Sequence, residues 1–120
     1  MRRIKFNSSC TNDHMKNLQN LKFNQNGLIP AIAQDHVTNE VLMMAWMNEE
    51  SLNLTLKTGF ATYFSRSRNG LWKKGESSGN IQELVAISDE CDFDCILLKV
   101  KQHGPACHTG KKSCFFNELK

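Results

Sequence analysis

Three cysteines, Cys91, Cys107 and Cys114, are separated by fifteen and then six residues, and His108 adjoins the middle one. This is not the paired C-x-x-C spacing of a structural zinc ribbon. Structural zinc sites fill four positions with protein ligands, whereas catalytic sites leave one position to water or substrate, and three thiolates supply that incomplete set. The competing reading makes the same cysteines small buried apolar side chains. Overlapping the first of them is Glu90-Cys91-Asp92-Phe93-Asp94, with a carboxylate at every second residue. An extended segment would place Glu90, Asp92 and Asp94 on one face and Cys91 on the other. Three like charges on one face call for a cation, and hard oxygen donors select Mg²⁺ over Zn²⁺. The alternative is a solvated acidic turn.

A third stretch, Ser65 to Asn80, mixes Arg66, Arg68, Lys73 and Lys74 with Trp72, Ser77, Ser78 and Asn80. Cations, hydroxyls and backbone N–H groups together make a phosphate cradle, and the indole offers a face on which a base can stack. A basic loop without such company is solvated surface. His36 and His103 read as surface or hydrogen-bonded residues, and Cys10 and Cys95 have no metal-binding setting; Cys95 is expected to pack inside a strand.

The elements that must position these groups are short. Ile29 to Gln34 and Glu40 to Met47 are apolar runs separated by the turn-like DHVTN, which predicts a hairpin. Asn48 reads as a helix N-cap, followed by Glu49 and Glu50 at the positive end and closed by Gly59. Leu52, Leu54 and Leu56 alternate as they would in a strand, but the cap and the terminal glycine favour a helix. Phe60 to Ser65, Ile81 to Ser88 and Cys95 to Gln102 are rich in aromatic or branched residues and bounded by turn formers, which predicts strands. Asp13 to Leu21 is a candidate short helix. The expectation is an α+β, mostly β, folded or barrel-like mixed sheet of about five strands with one or two helices, rather than alternating βαβ units.

The 120 residues, 40% apolar, suit one domain with a core of its own. We expect a single domain over 1–120, with a polar, Asn-rich arm at 1–27 and the catalytic core at 28–116. The longest apolar run, Val41 to Met47, is far short of the roughly 20 residues of a spanning helix, and MRRIKFNSSC carries no secretory pattern, so a cytosolic protein is expected. Five cysteines, an odd number in a reducing compartment, fit metal or catalysis better than a disulfide framework. A net charge of +3, from 15 basic and 12 acidic residues, is too small to argue for nucleic acid. It is also unevenly spread, with the basic cluster preceding the acidic one.

Taken in order, LIPAIAQD, VLMMAWMNEE, YFSRSRNGLWKKGESSGN, ECDFD and GPACHTGKKSCF closely resemble the phosphoribosyl-AMP cyclohydrolase family of histidine biosynthesis, over residues 28 to 116. The resemblance implies a hydrolase that adds water at C6 of the adenine ring of N1-(5-phosphoribosyl)-AMP and breaks the bond to N1. It implies a homodimer using one Zn²⁺ and one Mg²⁺ per subunit, with no nucleic-acid or membrane partner. By motif match, zinc is shared between subunits, with Cys91 from one and Cys107 and Cys114 from the other. Magnesium falls to Glu90, Asp92 and Asp94, with Glu90 standing where the family has Asp; Trp46 stands where it more often has Tyr. Many relatives carry a fused phosphoribosyl-ATP pyrophosphohydrolase domain, and here one activity is expected.

The implied chemistry gives the parts their roles. Zinc lowers the pKa of a bound water to about 7. His108 is the candidate to accept the water proton and return it towards N1, since imidazole titrates near working pH. Two phosphates give Arg66, Arg68, Lys73 and Lys74 something to bind. A zinc-dependent purine nucleotide deaminase would show H-x-E with P-C-x-x-C, of which Pro105-Ala106-Cys107 is only a faint echo. A non-enzymatic zinc module for nucleic acid would need a larger basic excess and a closed four-ligand site.

Overall fold

The computed structural model describes residues 3–4 and 20–120. Its elements are β1 (Arg3–Ile4), β2 (Ile29–Asp35), β3 (Val41–Met47), α1 (Glu49–Thr58), β4 (Thr62–Ser65), β5 (Gly70–Lys73), β6 (Gln82–Asp89) and β7 (Ile96–Gln102). They form one mixed sheet in the order β1-β6-β7-β2-β3-β4-β5, in which only the β2–β7 pairing is parallel.

The β2–β3 hairpin follows from alternation. Ile29, Ala31 and Ala33 are buried and their neighbours half-buried, so one face of β2 lies in the core. Its turn is organised by Asp35, whose Oδ1 accepts the N–H groups of Val37 at 2.8 Å and Thr38 at 3.0 Å, while Asn39 takes a left-handed φ of 64°. Those N–H groups, Thr38's first and Val37's next, hold the Asp35 carboxyl below its ordinary value. A depressed folded-state pKa stabilises above the unfolded value, and the stabilisation is lost as pH falls through the folded one. Asp35→Ala is therefore expected to cost about 1–2 kcal/mol at neutral pH. Urea denaturation at pH 7 and at pH 3 checks this: the gap between variant and wild type should narrow in acid.

β3 runs directly into α1, and both predicted caps are present. Asn48 Oδ1 accepts the Ser51 N–H at 2.8 Å while Ser51 Oγ accepts the Asn48 N–H at 2.9 Å, a reciprocal capping box. At the other end Gly59 adopts φ 81°, and its N–H reaches the Thr55 carbonyl at 3.0 Å. Leu52 buries fully and Leu54 and Leu56 partly, so the alternating leucines belong to a helix. Thr55 Oγ1 accepts the Thr62 N–H at 2.9 Å and pins the helix to the start of β4.

The sheet curls on itself. Just before β4, Ala61 N–H donates to the Gln82 carbonyl at 3.0 Å, and Leu84 N–H donates to Gly59 at 2.8 Å. The β3–β4 side of the sheet is thereby brought round to β6, giving the expected barrel-like form. Leu42, Met47, Leu52, Tyr63, Ile87 and Leu98 fill the interior.

Two local expectations need correction. Gly70–Lys73 is a strand where the sequence reads as continuous basic loop; β4 and β5 form a hairpin with Ser65 opposite Gly70 and Asn69 at φ 51°. Among the described residues the short β5 and the two-residue β1 extend the expected sheet of about five strands. Cys95 lies one residue before β7, half-buried, rather than inside the strand. Among the described residues there is one helix; most of the candidate helix Asp13 to Leu21, and Cys10, lie outside them. None of the described helices is long and apolar enough to cross a membrane.

Candidate active site

β7 ends at Gln102, and the segment that follows carries the thiols. Ala106 N–H donates to the Lys112 carbonyl at 3.0 Å and Cys107 N–H to Lys111 at 3.1 Å, closing residues 106–112 into a tight loop. Ser113 Oγ then donates to the Val41 carbonyl at 2.7 Å, and Cys114 N–H donates to Leu42 at 2.7 Å, clasping the loop to β3. The six-residue spacing thus folds back on itself and sets Cys107 and Cys114 on one loop clasped to β3.

The two thiols are pushed in opposite directions. Thr109 Oγ1 donates to Cys107 Sγ at 3.1 Å, and this hydroxyl first, then the Thr109 backbone and the Cys114 thiol, lower the Cys107 pKa. The Lys74 ammonium acts in the same direction. Burial pushes Cys114 up, and the Cys107 charge beside it adds to that. Cys107 therefore ionises first, and the pair holds one thiolate before it holds two. Thr109 is marked in the sequence only by its hydroxyl two positions after a cysteine, which is well placed to reach the sulfur.

Lys74 belongs to the basic stretch, and its charge bears on the Cys107 thiol. The rest of that stretch divides. Lys73 Nζ lies 4.7 Å from the Phe60 ring centroid and Arg66 Cζ 4.8 Å from that of Trp46. Trp72 is half-buried against the core, with its ring centroid 5.2 Å from that of Tyr63. Arg66 and Trp72 also line an open groove of about 550 Å³ with Trp46, Phe64, Ser65 and Ser67. Arg68, Ser77 and Ser78 are exposed, while Asn80 is half-buried. His108 is exposed on the turn of the thiol loop, and His103 Nε2 lies 2.8 Å from Glu83 Oε1 on the surface.

The acidic segment is a turn between β6 and β7, not an extended strand. Phe93, at φ 65°, donates its N–H to the Glu90 carbonyl at 2.8 Å, and Glu90 N–H donates to Cys95 at 2.9 Å. Glu90 Oε1 accepts the Asp92 N–H and so caps the turn from within. The period-two arrangement consequently does not form. Glu90 and Asp92 gather with Cys91 on one side, their ligand atoms within 4.8 Å of one another, while Asp94 stands outside the cluster. The hydrogen bond and charge of Glu90, followed by the charge of Asp92, raise the exposed Cys91 thiol above its ordinary value. A bound cation would reverse that effect.

Among the described residues, Cys91 does not converge with Cys107 and Cys114 to within 4.8 Å. Tetrahedral zinc with Zn–S bonds of about 2.3 Å would require sulfurs about 3.8 Å apart. The donors fall into two groups in one chain: two thiols on the loop clasped to β3, and a thiol among carboxylates.

Fold and donors together define a curled, mostly β domain that carries thiols and carboxylates on separate loops. Comparison with known proteins makes the class specific. The family described as phosphoribosyl-AMP cyclohydrolase matches residues 43–116. Proteins named phosphoribosyl-AMP cyclohydrolase are 58% identical in Cereibacter sphaeroides and 60% identical in Paracoccus denitrificans, each over 100 residues. Those alignments cover 83% of this chain, with 84% and 83% of the respective relatives. A third, from Alkalilimnicola ehrlichii, is 61% identical over 82% of this chain and 70% of its own length. The chain belongs to the phosphoribosyl-AMP cyclohydrolase family.

Proposed function

We propose that this protein opens the adenine ring of N1-(5-phosphoribosyl)-AMP in L-histidine biosynthesis, in the cytoplasm. Water adds its oxygen at C6, the bond from C6 to N1 breaks, and N1 takes up a proton, leaving a formimino-linked imidazole carboxamide ribotide. The observation that supports this beyond family membership is the thiol loop, in which the Thr109 hydroxyl donates to Cys107 Sγ at 3.1 Å while Ser113 and Cys114 clasp the loop to β3.

The donors fit zinc. Two adjoining sulfurs, one already favoured as thiolate, are soft ligands of the kind zinc takes up, with Cys91 completing the set. When bound, zinc supplies Lewis-acid activation of water near neutral pH. Thr109 favours the thiolate of Cys107, Lys74 and the exposed Arg68, Ser77 and Ser78 hold phosphate, and His108 carries the proton from water towards N1. Magnesium is assigned to Glu90, Asp92 and Asp94. The engagement of Glu90 Oε1 with the Asp92 N–H makes Glu90 the weakest of the three, since it would have to exchange an internal bond for ligation.

A homodimer completes the zinc set, because Cys91 and the thiol pair stay apart within one chain. Apolar surface supports the same reading. Met44, Ile32 and Leu97 occupy opposed positions across β3, β2 and β7, and Met44 remains 44% exposed.

The test is an absorbance assay of ring opening with purified protein, before and after treatment with a zinc chelator. Turnover that chelation abolishes and added Zn²⁺ restores is expected. A zinc-replete, folded protein that leaves the ring intact would overturn the assignment.

A further inference from the structure

Gln82 opens β6 and Gln102 closes β7, and the two are directly paired across the strands. The basic loop enters the sheet at this point and the thiol-bearing segment leaves it. Tyr63 and Gln82 are fully buried. Tyr63 Oη donates to Gln82 Oε1 at 2.6 Å, and Gln82 Nε2 donates to Gln102 Oε1 at 2.8 Å and to Met43 Sδ at 3.3 Å. Gln102 Nε2 faces the carbonyls of Asn80 at 3.2 Å, Ile81 at 3.4 Å and His103 at 3.2 Å.

The direction of this chain is forced from its far end. Three carbonyls only accept, so Gln102 must turn its NH₂ to them and its oxygen to Gln82. Gln82 must then present its own NH₂ to Gln102 and its oxygen to Tyr63, which has to donate. Burial raises the Tyr63 pKa and so keeps that proton in place.

The carbonyls gripped at the far end belong to the seam between the two functional segments. Asn80 closes the loop that begins at Lys74, and its side chain lies so near Gly104 that a Cβ there would come within 2.3 Å of Asn80 Oδ1. Gly75, next to Lys74, presses as closely on the Asn80 backbone, where a Cβ would lie 2.3 Å from its carbonyl carbon. Asn80 is therefore held between the residue after Lys74 and the residue that starts the thiol segment.

We propose that Tyr63, Gln82 and Gln102 are positioning residues for the ring-opening reaction, acting through this seam to hold the Lys74 end of the basic loop against the segment that carries Cys107 and Cys114. The inference rests on the function proposed above. Its test is a double-mutant cycle between Gln102→Glu and Lys74→Ala, read as kcat and KM for phosphoribosyl-AMP in zinc-loaded protein. Gln102→Glu keeps the acceptor that Gln82 needs and removes the donors to the three carbonyls.

Gln102→Glu should lower kcat/KM about tenfold, largely through KM, and Lys74→Ala should lower it further; the double variant should be no worse than Lys74→Ala alone. Zinc affinity, measured by competition with a chromophoric chelator, should fall along with kcat/KM. Additive losses in the cycle, with unchanged zinc affinity, would show a network that only stabilises the fold and would overturn the inference. Tyr63→Phe, which removes one hydroxyl from the opposite end, repeats the cycle should Gln102→Glu not fold, and additivity there counts equally against it. Wild-type protein measured alongside separates the two claims: an inactive wild type refutes the function, whereas an active one with an additive cycle refutes only the positioning role.

Discussion

Replacing Cys107 by serine is expected to remove zinc and with it ring opening, lowering turnover by more than about a hundredfold while leaving the fold intact. The argument lies in the local geometry of the thiol loop. Cys107 is buried, its N–H is bonded to Lys111, and its sulfur is the one that Thr109, Cys114 and Lys74 all favour as thiolate. Serine fits the same space and leaves the backbone bonds untouched, but its hydroxyl stays protonated where the thiol ionises. Cys114→Ser should follow Cys107→Ser closely. Cys95→Ser should retain both metal and activity, because Cys95 lies before β7 and its weak Sγ contact is to the Ile96 carbonyl at 3.9 Å; Cys10→Ser is expected to do the same. Metal analysis beside circular dichroism decides the matter: a folded Cys107→Ser protein with a full complement of zinc would remove Cys107 from the ligand set.

What was legible in the sequence is what short-range chemistry determines. The β2–β3 hairpin announced itself by apolar runs around a turn rich in Asp and Asn, and α1 by Asn48 and Gly59, because these signals act within a few residues. β5 was hidden because its register depends on β4 and its outward residues are polar or basic; the Asn69-Gly70 pair, a hairpin turn signal, was its only local mark. The carboxylates at Glu90, Asp92 and Asp94 fit an extended segment and an acidic turn alike, because alternation does not distinguish the two. A carboxylate that caps its own turn, as Glu90 does for Asp92, produces the same spacing.

The site shows the same division. The cysteines, basic residues and carboxylates could be nominated by type, and the meeting of the basic loop with the thiol segment at Asn80 is a product of the fold. Gln82 and Gln102 look in sequence like ordinary polar residues at strand ends. Only the cross-strand register turns them into partners, and only the carbonyls of Asn80, Ile81 and His103 give the pair a direction.

Mixing two inactive variants, Cys91→Ser and Cys107→Ser, is expected to restore about a quarter of wild-type activity, provided subunits exchange freely in a symmetric dimer. Half of the dimers formed from equal amounts are heterodimers. In each heterodimer one site combines both substitutions and is inactive, while the other joins the intact Cys91 of one chain to the intact Cys107 and Cys114 of its partner. The expectation follows from the separation of the donors. Cys107 and Cys114 are drawn together by the loop clasped to β3, whereas Cys91 sits on the β6–β7 turn among Glu90 and Asp92, outside the 4.8 Å that a common site requires. A chain closing its own site would give no recovery, since every subunit in the mixture lacks one ligand. Mixing Cys107→Ser with Cys114→Ser is the control: both ligands come from the same loop, so every site in that mixture stays one thiolate short. Recovery in the first mixture and none in the second, with exchange shown by mass-labelled subunits, establishes a shared site; equal failure of both after demonstrated exchange places all three cysteines in one chain and refutes it.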